Sequence, residues 1–285
     1  MINIDLIAAV ESGNIHYNHV YVIESVANER DRTGYHLHND LIRHRAYQLN
    51  LASQYLYTGT RSEFLLAFEE IRNQVVSSRT LPLIHVEVHG SKKGLHLASG
   101  EIITWFEFND LCRAINVQTA NNLSVTLAAC FANYILGYIN YEERAPFCLV
   151  IAPHDAIDRQ TYEHGYLAFY DEVLTTGRLD TAIDQLELDN DSLRFHYFDS
   201  KQIFDYLWAW NQDKLRNPDI VKERTEELMD AFLKGSPHFP SYMLPQLWHR
   251  IEMDVRGVRN EEEALEYFEM RDSSYYENIV WLKQP

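Results

Sequence analysis

Apolar runs alternate with amphipathic stretches along most of the chain. Short apolar runs predict strands at residues 19–24, 83–89, 123–129, 147–152 and 193–198. Apolar positions at helical spacing predict helices at residues 39–57, 64–75, 131–138, 162–175 and 179–186, with one more after Thr104. Strands that alternate with helices form a mainly parallel sheet with helices on both faces, so the predicted fold class is α/β.

Two capping boxes support the helix starts. Glu63 stands three positions after Thr60, and Glu107 stands three positions after Thr104. In such a pair the threonine side chain accepts from the backbone of the third helical residue, and the glutamate side chain accepts from the threonine backbone. The helix after Thr104 is therefore the expected crossover between the second and third predicted strands.

Beyond residue 200 the pattern changes to helices alone. Helices are predicted at residues 203–210, 220–233 and 261–270, and prolines separate them. We therefore predict two parts, a sheet domain at residues 1–200 and a helical C-terminal appendage at residues 201–285 that packs on it.

Composition narrows the classes of partner. The chain has 285 residues, 46% of them hydrophobic, which is enough for a sizeable core. Its formal net charge of −17 opposes binding to nucleic acid and to anionic membranes and favours a basic peptide partner. No uncharged apolar run approaches about 18 residues and no basic segment precedes an apolar one at the start, so we expect a cytoplasmic protein.

Metal and cofactor chemistry find little support in the sequence. The three cysteines have no CxxC spacing, so neither a disulfide framework nor a cysteine zinc site is expected. His36 and His38 are an alternative source of two metal ligands, but no clear third ligand stands nearby. No glycine motif that cradles phosphates is present, and we expect neither a metal nor a cofactor.

The best functional signal is a pair of strand ends. One apolar run ends in His89-Gly90 and another ends in Cys130, which is 41 positions after His89. If the two runs are parallel strands joined by a helical crossover, both side chains emerge at the carboxyl edge of one sheet, where open α/β folds bind ligands. His85 points to the same face but lies deeper. Cys112 and Cys148 fall within apolar segments and are interpreted as core residues.

This arrangement resembles the caspase-like cysteine peptidases, the group that contains caspases, metacaspases, legumains, gingipains and the bacterial CHAT proteins. A second segment, residues 169–177 followed by Ala182, is similar to the part of CHAT proteins downstream of the cysteine. The resemblance covers residues 15–200 and implies a caspase-like fold, peptidase activity and, for the bacterial relatives, a role in regulated cell death or defence.

The surroundings of the cysteine differ from two subfamilies. Caspases carry Gln-Ala-Cys, with the histidine about 50 residues upstream. Metacaspases carry an acidic residue two positions before the cysteine, where this chain has Ala128. Substrate preference is therefore not carried over from either subfamily.

The chemistry follows from the residue types. The thiolate is the nucleophilic form of cysteine, and a nearby imidazolium stabilises it. Cys130 would attack the scissile carbonyl, and His89 would protonate the departing amine. The backbone N–H groups of Gly90 and Cys130 are the candidate donors to the oxyanion. A helix that starts directly after Cys130 would add the effect of its positive end.

Two carboxylates are candidates for an acidic S1 pocket. Glu24 ends the first predicted strand, and Asp155 follows the fourth. In the resembled family the end of the first strand often contributes to S1, so Glu24 is the first choice. A carboxylate there would pair with arginine or lysine and favour cleavage after a basic residue.

The leading hypothesis is thus a cysteine endopeptidase that acts on a protein or peptide and is activated by a ligand or partner protein. The alternative is a non-catalytic caspase-like binding or scaffold module. Aromatic residues at positions 204–210 would supply a docking surface for it. The presence of both His89 and Cys130 argues for the enzyme.

Overall fold

The computed structural model describes residues 16–153, 155–156, 159–188, 195–215, 217–235, 240, 243–255 and 261–272. The strands are β1 His19–Ser25, β2 Ala52–Tyr57, β3 Pro82–Ser91, β4 Gly94–His96, β5 Ile102–Thr104, β6 Ser124–Ala128, β7 Leu149–Pro153 and β8 Phe195–Asp199. The helices are α1 Thr33–His36, α2 Arg43–Gln48, α3 Arg61–Ser78, α4 Trp105–Asn116, α5 Arg159–Thr176, α6 Leu179–Leu188, α7 Ser200–Leu215, α8 Pro218–Gly235, α9 Leu244–Val255 and α10 Glu261–Phe268.

These strands form a mostly parallel mixed sheet in an α/β fold. The order across the sheet is β2-β1-β3-β6-β7-β8, and β4 and β5 extend from β3 as an antiparallel ribbon. The pairs from β2 to β7 along this order are parallel, while β8 runs antiparallel to β7. The predicted α/β class and mainly parallel sheet are confirmed.

Helices cover both faces of the sheet because its strands are apolar on both sides. On one face, α3, α4, α7 and α10 pack on residues such as Ile23, Val86 and Leu127. On the other face, α5 and α6 pack on residues such as Val22 and Ile151. Between β1 and β2, α1 continues into a π-helix, Leu37–Ile42, which leads directly into α2 on this second face.

Both capping boxes are present. The Thr60 side chain accepts from the Glu63 backbone while the Glu63 side chain accepts from the Thr60 backbone, and Thr104 and Glu107 do the same at the start of α4. The predicted apolar face of α3 is buried. Its members are Phe64, Phe68, Ile71 and Val75.

The predicted helix at residues 39–57 is wrong in its second half. The helical region ends at Gln48, and residues from Ala52 form the parallel edge strand β2. Positions 52–57 alternate weakly between faces because the strand is only half-buried, so helical spacing and strand alternation were hard to separate. The sequence pattern also did not predict the short strands β4 and β5.

Three C-terminal helices, α7, α8 and α10, form where helices were predicted at residues 203–210, 220–233 and 261–270. Ile203, Phe204 and Leu207 of α7 and Phe268 of α10 belong to the same buried cluster as the sheet. The division at residue 200 stays a prediction. Across the described part of the chain, no helix combines the length and apolar character needed to cross a membrane.

Candidate active site

His89 and Cys130 lie level with each other on neighbouring strand ends. β3 and β6 are parallel neighbours, and their register pairs Leu83 with Ser124 and Glu87 with Ala128, an offset of 41 positions. His89 and Cys130 have this same offset, two residues past the last pair. His89 shares its face of β3 with Glu87, whereas Cys130 lies in the turn that follows β6.

Gly90 lies directly against the backbone of Cys130. A Cβ at Gly90 would overlap the carbonyl oxygen of Cys130 and lie 2.8 Å from its amide nitrogen. A glycine at this position leaves its backbone open to close approach by a substrate. The structure adds a stronger reason, because any larger residue would push the Cys130 backbone away. The two candidate oxyanion donors, the amides of Gly90 and Cys130, therefore sit on touching pieces of backbone.

The chain turns sharply after Cys130. Phe131 has φ of 59°, a left-handed conformation that is strained for an aromatic residue. Its amide donates to the backbone oxygen of Asp155 at 3.2 Å, which fixes the turn against the loop after β7. The predicted helix at residues 131–138 is a 3-10 helix of 7 residues, Ala132–Tyr138. Such a short helix gives little basis for the expected effect of a positive helix end.

Helix α4 makes hydrogen bonds to the segments that follow both His89 and Cys130. The indole of Trp105 donates to the backbone oxygen of Ser91 at 3.0 Å and so anchors the β3–β4 hairpin. Asn109 donates to the backbone oxygen of Ile135 at 3.1 Å and anchors the 3-10 helix. The crossover helix thus connects the two strand ends in sequence and also positions the segments beyond them.

His85, the alternative histidine, has no exposed surface. Its Nδ1 is 2.8 Å from the Thr126 hydroxyl, which is 2.8 Å from the Tyr170 hydroxyl. Burial lowers the pKa of His85 to about 3, so its imidazole is neutral at neutral pH. His89, in contrast, is exposed. The geometry therefore favours His89 as the residue that meets a substrate.

The three cysteines also differ in burial. Cys112 and Cys148 are buried, and burial raises the pKa of both thiols. Cys130 is partly exposed. All three lie in the described residues and none forms a disulfide. The predicted core placement of Cys112 and Cys148 is confirmed.

Glu24 has a structural environment. It is fully buried, and its carboxylate accepts from the backbone of Gly34 at 3.0 Å, from the backbone of Tyr35 at 3.2 Å and from the Tyr55 hydroxyl at 2.6 Å. Burial raises the pKa of this carboxyl, and the neighbouring Glu87 carboxylate raises it further. Full burial and three donors give this carboxylate a structural role, and the S1 role expected for Glu24 stays a prediction.

Asp155 is exposed at the edge of the Cys130 turn. Its backbone oxygen holds the Phe131 amide. This position is compatible with the S1 role expected for Asp155, which stays a prediction.

A small cavity that the sequence analysis did not foresee lies below the strand ends. It has a volume of about 100 Å³ and includes Asp40, Glu87 and Glu163 in its lining. Glu87 had a signal in the sequence, since it stands two positions before His89 and therefore shares its face. Asp40 and Glu163 are on separate helices, and nothing in their sequence spacing connects them.

The residues proposed as metal ligands do not converge. His36 Nδ1 is 3.6 Å from an Asp40 oxygen, whereas His38 is buried with its Nδ1 3.4 Å from Asn39. Within the described ranges, no three His, Cys, Asp or Glu side chains are grouped so as to hold a metal ion.

Comparison of the chain with known protein families and with curated proteins finds no match in either set.

Proposed function

We propose that the chain is a caspase-like cysteine endopeptidase in which Cys130 is the nucleophile and His89 is the general acid and base. One observation carries the proposal. The β3–β6 register brings the His-Gly and Ala-Cys strand ends level, with Gly90 in contact with the Cys130 backbone. This arrangement supports a site in which a thiol and an imidazole act together at the edge where parallel α/β sheets bind ligands.

The mechanism has two stages. The Cys130 sulfur attacks the scissile carbonyl carbon, a C–S bond forms, and the carbonyl oxygen gains negative charge that the amides of Gly90 and Cys130 stabilise. When the C–N bond breaks, the His89 imidazolium gives its proton to the departing amine. Water then attacks the thioester, His89 accepts a proton from it, and release of the acid restores the Cys130 thiolate.

The class of substrate is a protein or peptide, as the resemblance to caspase-like peptidases implies, and the net charge of −17 favours a basic one. Activation by a ligand or partner protein and a role in bacterial defence are part of the proposal only because of the resemblance to caspase-like proteins. A cytoplasmic location is proposed from the pattern of apolar and basic residues in the sequence.

A binding module is the second candidate. The observation that favours it is the exposure of Tyr206 and Trp210 on α7, which are 66% and 53% exposed. Exposed aromatic residues of this size are common at protein interfaces. Such a surface is also compatible with the docking of an activator to the enzyme.

The test is labelling with a peptide that carries a thiol-reactive group, together with cleavage of a fluorogenic peptide library varied at P1. Reactions run with and without a cell lysate as a source of activator. We expect labelling and cleavage that disappear in Cys130→Ala and persist in Cys148→Ala, which changes a buried thiol directly before the next strand. No labelling and no cleavage under any of these conditions would leave the binding module as the better explanation.

A further inference from the structure

The segment directly after Cys130 presents two aromatic rings at the sheet edge. Phe131 is half-buried and Tyr134 is 38% exposed. Their ring centroids are 6.4 Å apart at an interplanar angle of 79°, which is an edge-to-face contact. These two side chains are named the aromatic patch. Because residues 131–138 include no Asp, Glu, Lys or Arg, the segment offers an apolar surface next to the proposed nucleophile.

The 3-10 helix after Cys130 packs on the core with residues other than the aromatic patch. In a 3-10 helix, side chains three positions apart lie on the same face. Ala132 and Ile135 form the inner face and belong to the buried cluster on the sheet. Phe131 and Tyr134, each one position earlier, lie on a second face that is more exposed. Packing on the core therefore does not explain why both positions are aromatic.

The backbone conformation at Phe131 does not suit an aromatic residue. Its φ of 59° and ψ of 24° lie in the left-handed region, which glycine and asparagine adopt at lower cost. The hydrogen bond to the Asp155 backbone oxygen uses only the amide of Phe131, which either of those residues would also provide. A side chain kept at such a position is typical of functional sites. The ring of Phe131 is thus a candidate for contact with a substrate.

The β3–β4 hairpin reaches the aromatic patch from the other strand end. The Lys92 ammonium is 5.3 Å from the ring centroid of Tyr134, within the range of a cation–π contact. Lys92 is exposed and stands three positions after His89. The aromatic patch therefore lies between the segment that follows the proposed nucleophile and the hairpin that carries the proposed acid.

The position of His89 indicates which part of a substrate meets the aromatic patch. In the proposed mechanism His89 protonates the departing amine, so the residues after the scissile bond pass the hairpin that carries His89. Lys92 of this same hairpin contacts the Tyr134 ring. The aromatic patch is thus on the leaving-group side of the proposed dyad.

We infer that Phe131 and Tyr134 bind a large apolar side chain, preferably an aromatic one, at the first or second residue after the scissile bond. A flat side chain there packs against the two rings and removes apolar surface from water. This inference deepens the proposed peptidase function and rests on it. It makes Phe131 a specificity-determining residue in addition to its place in the turn.

The test compares kcat/KM for peptides with a fixed P1 residue that differ only at P1′ or P2′, with phenylalanine, leucine, alanine or aspartate. At one of these positions we expect phenylalanine to exceed alanine by about 10-fold. Phe131→Gly and Phe131→Asn remove the ring but suit the left-handed backbone. Both should abolish the preference with little change in the free energy of unfolding, whereas Phe131→Tyr should retain it.

A second tyrosine on the same helix supplies the matched control. Tyr134→Ala should lower the preference for phenylalanine, whereas Tyr138→Ala should keep it in full. Tyr138 is 44% exposed, but it stands three positions after Ile135 and so lies on a different face from the aromatic patch. Denaturant unfolding of every variant measures whether the fold is retained.

The outcomes separate this inference from the peptidase proposal. A preference that Phe131→Gly and Phe131→Asn keep, an equal loss of kcat/KM for all peptides, or cleavage indifferent to P1′ and P2′ overturns the role of the patch and leaves the peptidase intact. If no peptide is cleaved, calorimetric titration with the same peptides replaces the kinetics. Tighter binding of the phenylalanine peptides that both variants lose supports an aromatic site without peptidase activity, and equal or absent binding overturns both.

Discussion

Two positions on β3, His85 and His89, show how depth along one strand changes the chemistry of the same side chain. Both point to the same face, and four residues separate them. His85 is enclosed with Thr126, Tyr166 and Tyr170, and its imidazole is neutral. His89 is exposed beside the Cys130 turn. The interior position has a structural task, and the edge position is available to a substrate.

The comparison extends to the neighbouring strand. Thr126 lies opposite His85, while the offset of the same register brings Cys130 level with His89. In the inner pair, His85 Nδ1 is within hydrogen-bond distance of the Thr126 hydroxyl, whereas the buried His85 Nε2 has no hydrogen-bond partner in the described structure. At the edge the strands end and the backbone turns, so side chains there have fewer protein neighbours. Reactive residues at strand ends combine a rigid support with access to ligand.

The largest expected difference between the two positions is in activity. His89→Gln should lower kcat by about 10²- to 10⁴-fold, because general acid and base catalysis is removed. Its stability should change little, since His89 is exposed. His85→Gln should keep the kcat of the folded enzyme. Steady-state kinetics and thermal unfolding of both variants measure kcat and stability. An equal loss of kcat in the two variants would contradict the assignment of catalysis to His89 alone.

The second largest expected effect is a loss of folding stability at acidic pH. Folded His85 has its pKa lowered from 6.5 to about 3, so below pH 6.5 the unfolded chain binds a proton that the folded chain does not. Stability from this group is therefore complete above pH 6.5 and falls by about 1.4 kcal/mol per unit as the pH drops toward 3. Denaturant unfolding at several pH values measures it.

The matched control for acid sensitivity is His85→Gln, which cannot titrate. His19, whose pKa burial lowers to about 4, contributes a similar dependence in both proteins. The difference between the two pH curves isolates His85. Parallel curves between pH 6.5 and 4 would show that His85 is not neutral in the folded state.

A smaller effect is expected from the backbone contact at the edge. Gly90→Ala forces a Cβ onto the Cys130 carbonyl, and we expect a loss of about 3 kcal/mol in the free energy of unfolding together with reduced kcat. Gly137→Ala is the control, because nothing lies within 4 Å of a Cβ there. Both are measured by denaturant unfolding and peptide cleavage. Similar behaviour of the two variants would contradict the contact.

The smallest expected effect comes from the hydroxyl between His85 and Tyr170. Thr126→Val removes a group that is 2.8 Å from both partners, and we expect a cost of about 1–2 kcal/mol in stability with kcat unchanged. Urea unfolding measures the loss of stability, and peptide cleavage measures kcat. A large loss of kcat without loss of stability would place the interior hydroxyl in the catalytic machinery.

The sequence predicted much of the fold from local signals. The capping boxes at Thr60 and Thr104 are satisfied within a few residues, so the helix starts were visible without tertiary information. Residues 52–57 were misassigned because an edge strand is only half-buried and its pattern is weak. The pairing of β2 with β1, which makes these residues a strand, is a contact between distant parts of the chain.

The candidate site was predictable only in part. His89, Gly90 and Cys130 were candidates because they stand at the ends of apolar runs, and their catalytic role stays a prediction. Glu24 also ends a predicted strand. In the structure, however, the backbone N–H groups of Gly34 and Tyr35 in α1 donate to its carboxylate. Whether a carboxylate at a strand end meets substrate or caps a helix depends on the next element, which strand position alone does not specify.

The amino-acid sequence by itself determined the α/β alternation, the helix starts and the two strand ends that carry the thiol and the imidazole. These follow from periodicity and capping, which act over a few neighbouring residues. Tertiary structure alone decided the register that makes His89 and Cys130 level, the burial of Glu24 and the meeting of Asp40, Glu87 and Glu163 around one cavity. The physical reason is that register and burial depend on how distant segments pack, and that packing is a property of the whole core.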